Sequence, residues 1–324
     1  MPSEIQSLAD RARSGDPRAL ARVITAVENR SPESSQLLRA LFPHSGRARI
    51  IGMTGAPGAG KSTLAGHLGL HRARRESARV AVLAIDPTSP RSHGAILGDR
   101  IRMAELYTDR GIFIRSMATR GFMGGIARAT NDVVDLLDAA GFELVLVETV
   151  GVGQDEVEII RTVQTNVVVL VPGMGDDIQA IKAGIMEIGD VFAVNKADRP
   201  GADRTVTEVT MMMSLVEEHG DWIPPIVKTI ASRGEGIAEL DDALQRHAGY
   251  LQASGELERR NRERARIRIE TLLKDKFMQR VPREEYGRIV EAVLRRRNNP
   301  RDAAEEILRR LLPGAALSRE RSEP

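Results

Sequence analysis

The stretch RIIGMTGAPGAGKSTLAGHL, residues 49–68, joins a short apolar run to a helix-forming segment through a loop rich in glycine. Its centre, Gly55 to Ser62, matches the motif G-x-x-x-x-G-K-S, with a predicted strand before it and a predicted helix after it, as that motif requires. Glycines let backbone N–H groups turn toward phosphate groups, and the helix N-terminus adds partial positive charge. The stretch therefore predicts an α/β protein with a site for a nucleoside phosphate.

The motif assigns a role to each polar side chain of this loop. Lys61 is expected to reach the β- and γ-phosphates, and the Ser62 hydroxyl is expected to bind Mg²⁺. The residues predicted to contact the nucleotide here are Gly55, Ala56, Pro57, Gly58, Ala59, Gly60, Lys61, Ser62 and Thr63.

Short β-branched runs alternate with helical stretches from residue 48 to about residue 250. Most of these runs lack polar alternation, which predicts strands covered on both faces by helices in a mostly parallel sheet. Ligands of such sheets bind beyond the carboxyl ends of the strands. The predicted strands are 49–54, 79–86, 112–116, 142–149, 166–172, 191–197 and 225–231.

Helical patterns flank this region on both sides. We therefore predict an N-terminal helical extension over 1–45, a nucleotide-binding α/β domain over 46–250 and a C-terminal helical segment over 251–324. In the extension, Asp16 and Pro17 are expected to begin one helix, and Ser31 and Pro32 to begin the next. In the C-terminal segment, the predicted helices cover about 256–280, a second stretch from Pro282, and a third from Asn299-Pro300 to Pro313-Gly314.

The composition of the 324 residues, 42% hydrophobic and 28% charged, is that of a globular protein. No cysteine is present, which excludes disulfides and thiolate metal sites. The first residues carry no secretory signal pattern and no apolar run approaches the roughly 18 residues of a membrane span, so we expect a cytoplasmic protein. Arginines crowd 256–270 and 294–301, but acids are interleaved and aromatics make up only 3%, so nucleic-acid binding is not expected.

A second motif, Asn195-Lys196-Ala197-Asp198, follows the predicted strand at 191–197. A carboxylate held in the plane of the base can accept two hydrogen bonds from guanine, whereas adenine offers no such pair of donors. The four residues are a weak signal alone, but they gain specificity from their place after a phosphate-binding loop and at a strand end. The loop after the last strand, Ala231, Ser232 and Arg233, is expected to support the base.

Acidic residues at strand ends are candidates for the metal. Glu148 ends the strand at 142–149 and, with Gly151, occupies the place where a P-loop GTPase usually has D-x-x-G. Asp86 ends the second strand, where it could instead cap a turn, and Asp99 follows in 94–103, where helix capping is the alternative. The predicted metal ligands are Ser62, Asp86, Asp99 and Glu148.

The loop VPGMGDDIQAIKAG, residues 171–184, contains more glycine and charge than a turn into a helix requires. Gly173 and Gly175 permit backbone conformations that other residues resist, which suits a segment with two states. Lys182 is expected to reach the nucleotide or a carboxylate in one of those states. We interpret the loop as a switch; a static turn is the alternative.

Taken in order, GAPGAGKST, DPTSP, RGFMGGIARAT, ETVGVGQDEVE, VPGMGDDIQAIKAG and NKAD resemble the MeaB/ArgK family of P-loop GTPases, which associate with methylmalonyl-CoA mutase. The resemblance covers about residues 10–312. It implies GTP and GDP as nucleotides, with Asp86, Asp99 and Glu148 around Mg²⁺ and the attacking water, and Lys61 and Lys182 as further catalytic residues.

The same resemblance implies a homodimer, held by the C-terminal helices, that chaperones an adenosylcobalamin-dependent mutase. GTP binding and slow hydrolysis would gate loading of cobalamin and protect the mutase from inactivation. Metal-insertion GTPases of nickel enzymes, transport-associated ATPases and a scaffold that uses GTP only for stability are the alternatives.

Overall fold

The computed structural model describes residues 4–86, 112–118, 125–149, 163–173, 188–214 and 221–311. The chain divides into two compact units, Met1–Arg264 and Ala265–Pro324. Over the described residues, no helix is both long enough and apolar enough to cross a lipid bilayer.

Within the described ranges, a seven-stranded sheet forms the centre of the first unit. Its strands are β1 (Arg49–Thr54), β2 (Val80–Asp86), β3 (Ile112–Ala118), β4 (Leu144–Glu148), β5 (Thr165–Leu170), β6 (Val191–Asn195) and β7 (Ile226–Thr229). All these strand pairs are parallel, and the strand order is β3-β2-β4-β1-β5-β6-β7, so that β1 lies in the middle. The predicted parallel α/β sheet is therefore confirmed.

Helices cover both faces of this sheet, which explains why the inner strands lack polar alternation. Every residue of β4, β5 and β6 is buried. The described helices of this unit are α1 (Glu4–Arg13), α2 (Pro17–Glu28), α3 (Ser34–Leu41), α4 (Lys61–Glu76), α5 (Gly125–Ala139), α6 (Ala202–Met213) and α7 (Ile237–Ala253). One face of the sheet packs against α1, α2, α3, α5 and α6, and the other packs against α4 and α7.

The two predicted helix starts in the N-terminal extension had different outcomes. Asp16 caps α2 as predicted, since its side chain accepts hydrogen bonds from the backbone N–H groups of Arg18 and Ala19. The prediction for Ser31 and Pro32 is wrong, because α3 begins at Ser34. The Ser34 N–H donates to the Ser31 carbonyl, so the chain makes a turn before the helix.

The C-terminal helices match the predicted stretches. α8 spans Glu256–Arg280, α9 spans Arg283–Leu294 and α10 spans Pro300–Leu311. The Asn299 side chain caps α10 by accepting a hydrogen bond of 2.9 Å from the Asp302 N–H. Within the second unit, Arg310 on α10 pairs with Glu285 on α9.

A buried polar network lies at the amino-terminal edge of the sheet, where Asp190 precedes β6. Both oxygens of Asp190 accept hydrogen bonds from Arg260 at the start of α8, at 2.8 and 2.9 Å. His247 is fully buried, with Nε2 at 3.3 Å from Asp190 Oδ1 and Nδ1 at 2.9 Å from Thr165 Oγ1. Burial raises the pKa of Asp190, but its interactions with His247 and Arg260 outweigh burial and lower that pKa below 3.8.

We expect Arg260→Ala to lower the free energy of unfolding by roughly 2–4 kcal/mol at neutral pH, because it leaves Asp190 as a buried charge without its bidentate partner. A carboxyl group whose folded-state pKa is depressed stabilises the fold above its unfolded pKa and loses that contribution as pH falls through the folded pKa. The difference between wild type and variant should therefore shrink below pH 3.8.

Calorimetric unfolding at several pH values measures this difference. Arg262→Ala is the matched control, because Arg262 pairs with Glu258 while both side chains are more than three-quarters exposed. Its removal should cost less than about 0.5 kcal/mol. Equal decreases in the free energy of unfolding of the two variants would show that the buried pair of Asp190 and Arg260 contributes no more than an exposed ion pair.

Candidate functional site

The phosphate-binding loop has a backbone path that only glycine accommodates at two positions. Gly55 has φ +144°, and a Cβ atom there would lie 2.1 Å from the Val169 carbonyl oxygen on β5. Gly60, which caps α4, has φ +92°, and its Cβ would lie 2.4 Å from Asn195 Nδ2. The loop is therefore packed directly against the ends of β5 and β6.

Lys61 begins α4 and is almost wholly buried beneath the loop. Its Nζ donates hydrogen bonds to the carbonyl oxygens of Gly55 at 2.7 Å and Ala56 at 3.1 Å. The ammonium group thus lies inside the curve of the loop, at the N-terminus of a helix, where the local field favours anions.

Ser62 and Glu148 meet beside the loop. The Ser62 hydroxyl donates a hydrogen bond of 2.5 Å to Glu148 Oε1, and both residues are buried. β4 ends at Glu148 and is the neighbour of β1, so the parallel register brings the carboxylate to the start of α4. A hydroxyl and a carboxylate are oxygen donors of the kind that Mg²⁺ prefers, and this pair fits the predicted metal role.

The carboxamide of Asn195 connects the phosphate-binding loop to the loop after β7. Its Nδ2 donates to the Ala59 carbonyl at 2.7 Å, and its Oδ1 accepts from the Ala231 N–H at 3.0 Å and from Thr229 Oγ1 at 3.2 Å. Asn195 is 2% exposed. Each of these contacts is buried, so the carboxamide holds the two loops at a fixed separation.

Lys196 and Asp198 complete the turn after β6. Lys196 has φ +57°, and its Nζ donates to the Gly58 carbonyl at 2.6 Å, a second link to the phosphate-binding loop. The Asp198 side chain is 41% exposed, and its Oδ2 lies 3.8 Å from the guanidinium of Arg233. One carboxylate thus faces solvent beside the loops that Asn195 joins.

The loop after β7 is a short 3-10 helix, Ala231–Arg233. An antiparallel bridge between Ile230 and Glu235 closes it. Gly236 caps α7, and a Cβ atom there would lie 2.2 Å from the Lys228 carbonyl oxygen. Ala231 is buried and donates its N–H to the Asn195 side chain.

The structure brings together the predicted nucleotide residues of 55–63, together with Glu148, Asn195, Lys196, Asp198 and 231–233. For Asp86 only the backbone is described, as the last residue of β2. Asp99, Gly151 and Lys182 lie outside the described residues, as does most of the proposed switch at 171–184. Of that loop, Gly173 is described and has φ +88°.

Sequence reasoning missed two partners of this site. Thr229 was not a predicted site residue, yet its hydroxyl donates to Asn195. Asn195 was predicted as part of the guanine-recognition motif 195–198, but its hydrogen bond to the Ala59 carbonyl was not foreseen. Asparagine directly after a buried strand was the available signal, because a carboxamide can donate to one loop and accept from another.

A cavity of about 440 Å³ lies elsewhere, at the amino-terminal edge of the sheet. The charged residues that line it have structural partners. Arg72 pairs with Asp241 and Glu76, and Asp138 accepts backbone hydrogen bonds from residues 46–48. Its lining, which contains no predicted site residue, is Arg47, Arg49, Arg72, Glu76, Ala78, Asp138, Gly141, Phe142, Glu143, Leu144 and Gln245.

Residues 20–285 match the family described as "Methylmalonyl Co-A mutase-associated GTPase MeaB". The chain belongs to this family. The "Putative GTPase" of Pyrococcus abyssi is 46% identical over 317 residues, which cover 96% of this chain and 98% of that protein. The mouse "Methylmalonic aciduria type A homolog, mitochondrial" is 32% identical over 82% of this chain and 68% of its own.

A solved structure agrees with the family in its fold. The crystal structure of "LAO/AO transport system kinase" has a TM-score of 0.73 and 28% identity, and the match covers 96% of this chain and 99% of that one. The predicted family and the P-loop GTPase fold are therefore confirmed, and family membership makes this MeaB-family chain a GTPase that binds guanine nucleotides.

Two alanine substitutions test whether the contact between Gly60 and Asn195 organises the site. Gly60→Ala and Gly58→Ala both force a side chain into left-handed backbone, but a Cβ at Gly58 meets nothing within 4 Å. We expect Gly60→Ala to weaken GDP binding by roughly 1–3 kcal/mol more than Gly58→Ala, because its Cβ displaces the Asn195 carboxamide. Isothermal titration calorimetry measures both; equal losses would mean that backbone strain alone matters.

Proposed function

We propose that this chain is a GTPase chaperone of an adenosylcobalamin-dependent methylmalonyl-CoA mutase, which binds and hydrolyses GTP to gate cobalamin loading and to protect the mutase. The observation that carries the proposal is the Asn195 side chain, which joins the phosphate-binding loop to the loop 231–233. It occurs in a chain whose family description names the mutase. The name of the mouse relative, which refers to methylmalonic aciduria, supports the same direction.

In this proposal the phosphates of GTP lie in the loop over 55–63. Lys61 leaves the carbonyl oxygens of Gly55 and Ala56 for the β- and γ-phosphates, because charged phosphate oxygens are stronger acceptors than neutral carbonyls. The N–H groups at the start of α4 bind the same anion. Position and charge together supply most of the catalysis in phosphoryl transfer.

The Ser62 and Glu148 oxygens would hold Mg²⁺, with Asp86 and Asp99 as the other proposed ligands around the attacking water. When bound, the ion neutralises charge on the β- and γ-phosphates. The 2.5 Å hydrogen bond between Ser62 and Glu148 shows that the two side chains already reach one point. We propose that Gly151 and Lys182 act beside them, Gly151 as the sensor of the γ-phosphate.

The guanine base is proposed to pair with Asp198 and to lie between the loops that carry Lys196 and Ala231–Arg233. The Asp198 carboxylate would accept hydrogen bonds from the guanine ring N–H and the exocyclic amine, and adenine would leave it unpaired. We propose that residues 171–184 are the switch that reports the nucleotide state to the mutase.

The second unit is proposed to hold a homodimer. It exposes large apolar side chains at helical spacing: Ile269 and Leu273 on α8 are 57% and 62% exposed, and Tyr286, Val290 and Leu294 on α9 are 44%, 39% and 68% exposed. We call these five residues the apolar stripe. Exposed apolar residues at such spacing are typical of a surface that another subunit covers.

We expect purified methylmalonyl-CoA mutase to accelerate GTP hydrolysis by the full chain by roughly tenfold or more, because a partner that orders the switch completes the catalytic site. Asp176→Ala, Asp177→Ala and Gln179→Ala should keep the affinity for GTP and lose this acceleration. Phosphate release with and without the mutase and cobalamin measures the effect, and Lys61→Ala is the inactive control. Rates that do not respond to the mutase would favour a GTP-bound scaffold instead.

The dimer is tested by charged substitutions in the apolar stripe. We expect Leu273→Lys together with Leu294→Lys to give a monomer by sedimentation, because burying lysine without a partner is costly. Ile223→Lys is the control, since Ile223 is 75% exposed but belongs to the first unit. A wild-type chain that is already monomeric at micromolar concentration would contradict the proposed dimer.

A further inference from the structure

Arg233 lies between two carboxylates at the solvent side of the proposed guanine site. Its Nη2 is 3.8 Å from Asp198 Oδ2, and its Nη1 is 3.8 Å from Glu235 Oε1. The side chains of Arg233, Asp198 and Glu235 are 60%, 41% and 56% exposed, respectively. An ion pair this exposed contributes little to folding, so its removal should leave the fold intact.

Two short loops fix the positions of these residues. Asp198 lies in a turn that the hydrogen bond from the Arg199 N–H to the Lys196 carbonyl closes at 3.0 Å. Arg233 ends a 3-10 helix, and its own N–H donates to the Ile230 carbonyl at 2.9 Å. Asn195 also joins the two loops, because its Oδ1 accepts a hydrogen bond from the Ala231 N–H. The backbone of the loops therefore places the Arg233 guanidinium next to the Asp198 carboxylate.

An aspartate that recognises guanine must hold its carboxylate in one orientation. Guanine presents its ring N–H and its exocyclic amine in one plane, so both carboxylate oxygens must lie in that plane. The last torsion of aspartate is broad, and an exposed carboxylate rotates about it readily. A cation beside one oxygen limits that rotation and still leaves lone pairs for the base, because a carboxylate has about four acceptor sites.

We propose that Arg233 is a positioning residue for guanine specificity. It holds the Asp198 carboxylate in the plane in which both oxygens accept hydrogen bonds from the base, while Glu235 competes for the same guanidinium. The inference rests on the proposed pairing of guanine with Asp198. In this proposal the side chain of Arg233, and not only the backbone of the 231–233 loop, takes part in selecting the base.

The discrimination between GDP and IDP tests this role. Hypoxanthine lacks the exocyclic amine, so IDP uses one Asp198 oxygen where GDP uses both. Arg233→Ala should weaken GDP binding roughly two- to fivefold, the range of an exposed ion pair, and weaken IDP binding less, so the preference for GDP falls. Glu235→Gln should raise that preference, because it leaves the guanidinium to Asp198.

Isothermal titration calorimetry on the full chain gives the dissociation constants of GDP, IDP and ADP. Arg199→Ala is the matched control: it removes the same charge one residue from Asp198 and should leave the GDP preference unchanged. Thermal unfolding of each variant should match the wild type, since these side chains are exposed.

Three results would overturn the role of Arg233. Equal losses for GDP and IDP, which leave the preference unchanged, would mean that the guanidinium stacks on the ring without choosing the base, and no loss for either nucleotide would mean that it has no part in binding. An equal shift in Arg199→Ala would assign the effect to net charge. Wild-type binding of ADP as tight as that of GDP would instead refute the guanine assignment itself.

Discussion

The arrangement of the site depends on one buried carboxamide. Asn195 donates to the phosphate-binding loop and accepts from Thr229 and from the Ala231 N–H, so one side chain sets the distance between the phosphate loop and the base loop. Burying the carboxamide without these partners would cost free energy, so the three hydrogen bonds favour this arrangement of the two loops over others. Gly60 has no side chain because its Cβ would occupy the same space as the Asn195 amide.

The sheet separates two tasks between its two edges. At the carboxyl edge, which carries the proposed nucleotide site, Asp198 and Arg233 are substantially exposed, and Lys61 donates to the carbonyl oxygens of the phosphate-binding loop. At the amino-terminal edge, Asp190 and Arg260 satisfy one another in a buried bidentate pair that connects β6 to the start of α8. β6 reaches both edges, since Asp190 precedes it and Asn195 ends it.

Local patterns predicted most of the fold, because apolar runs, capping residues and the glycine-rich loop act within a few residues of each other. β1 was predicted at its observed bounds, and Asp16 caps α2 as expected. The same reasoning failed at Ser31, where a turn intervenes before α3. Contacts between distant residues outside the nucleotide motifs were not predictable: Asp190 and Arg260 are 70 positions apart, and neither lies in a recognisable motif. Likewise, the motifs identified Asn195 and Asp198, but the sequence did not reveal which neighbours would orient them.

The single tryptophan of the chain belongs to the buried network and not to the nucleotide site. The Trp222 indole N–H donates to the Asp190 carbonyl at 2.8 Å, and the ring lies 4.8 Å from His247 and 5.3 Å from Tyr250. Intrinsic tryptophan emission from this protein therefore comes from the amino-terminal edge of the sheet, opposite the proposed phosphate site. We expect it to report loosening of the network around Asp190, at a distance from the proposed nucleotide.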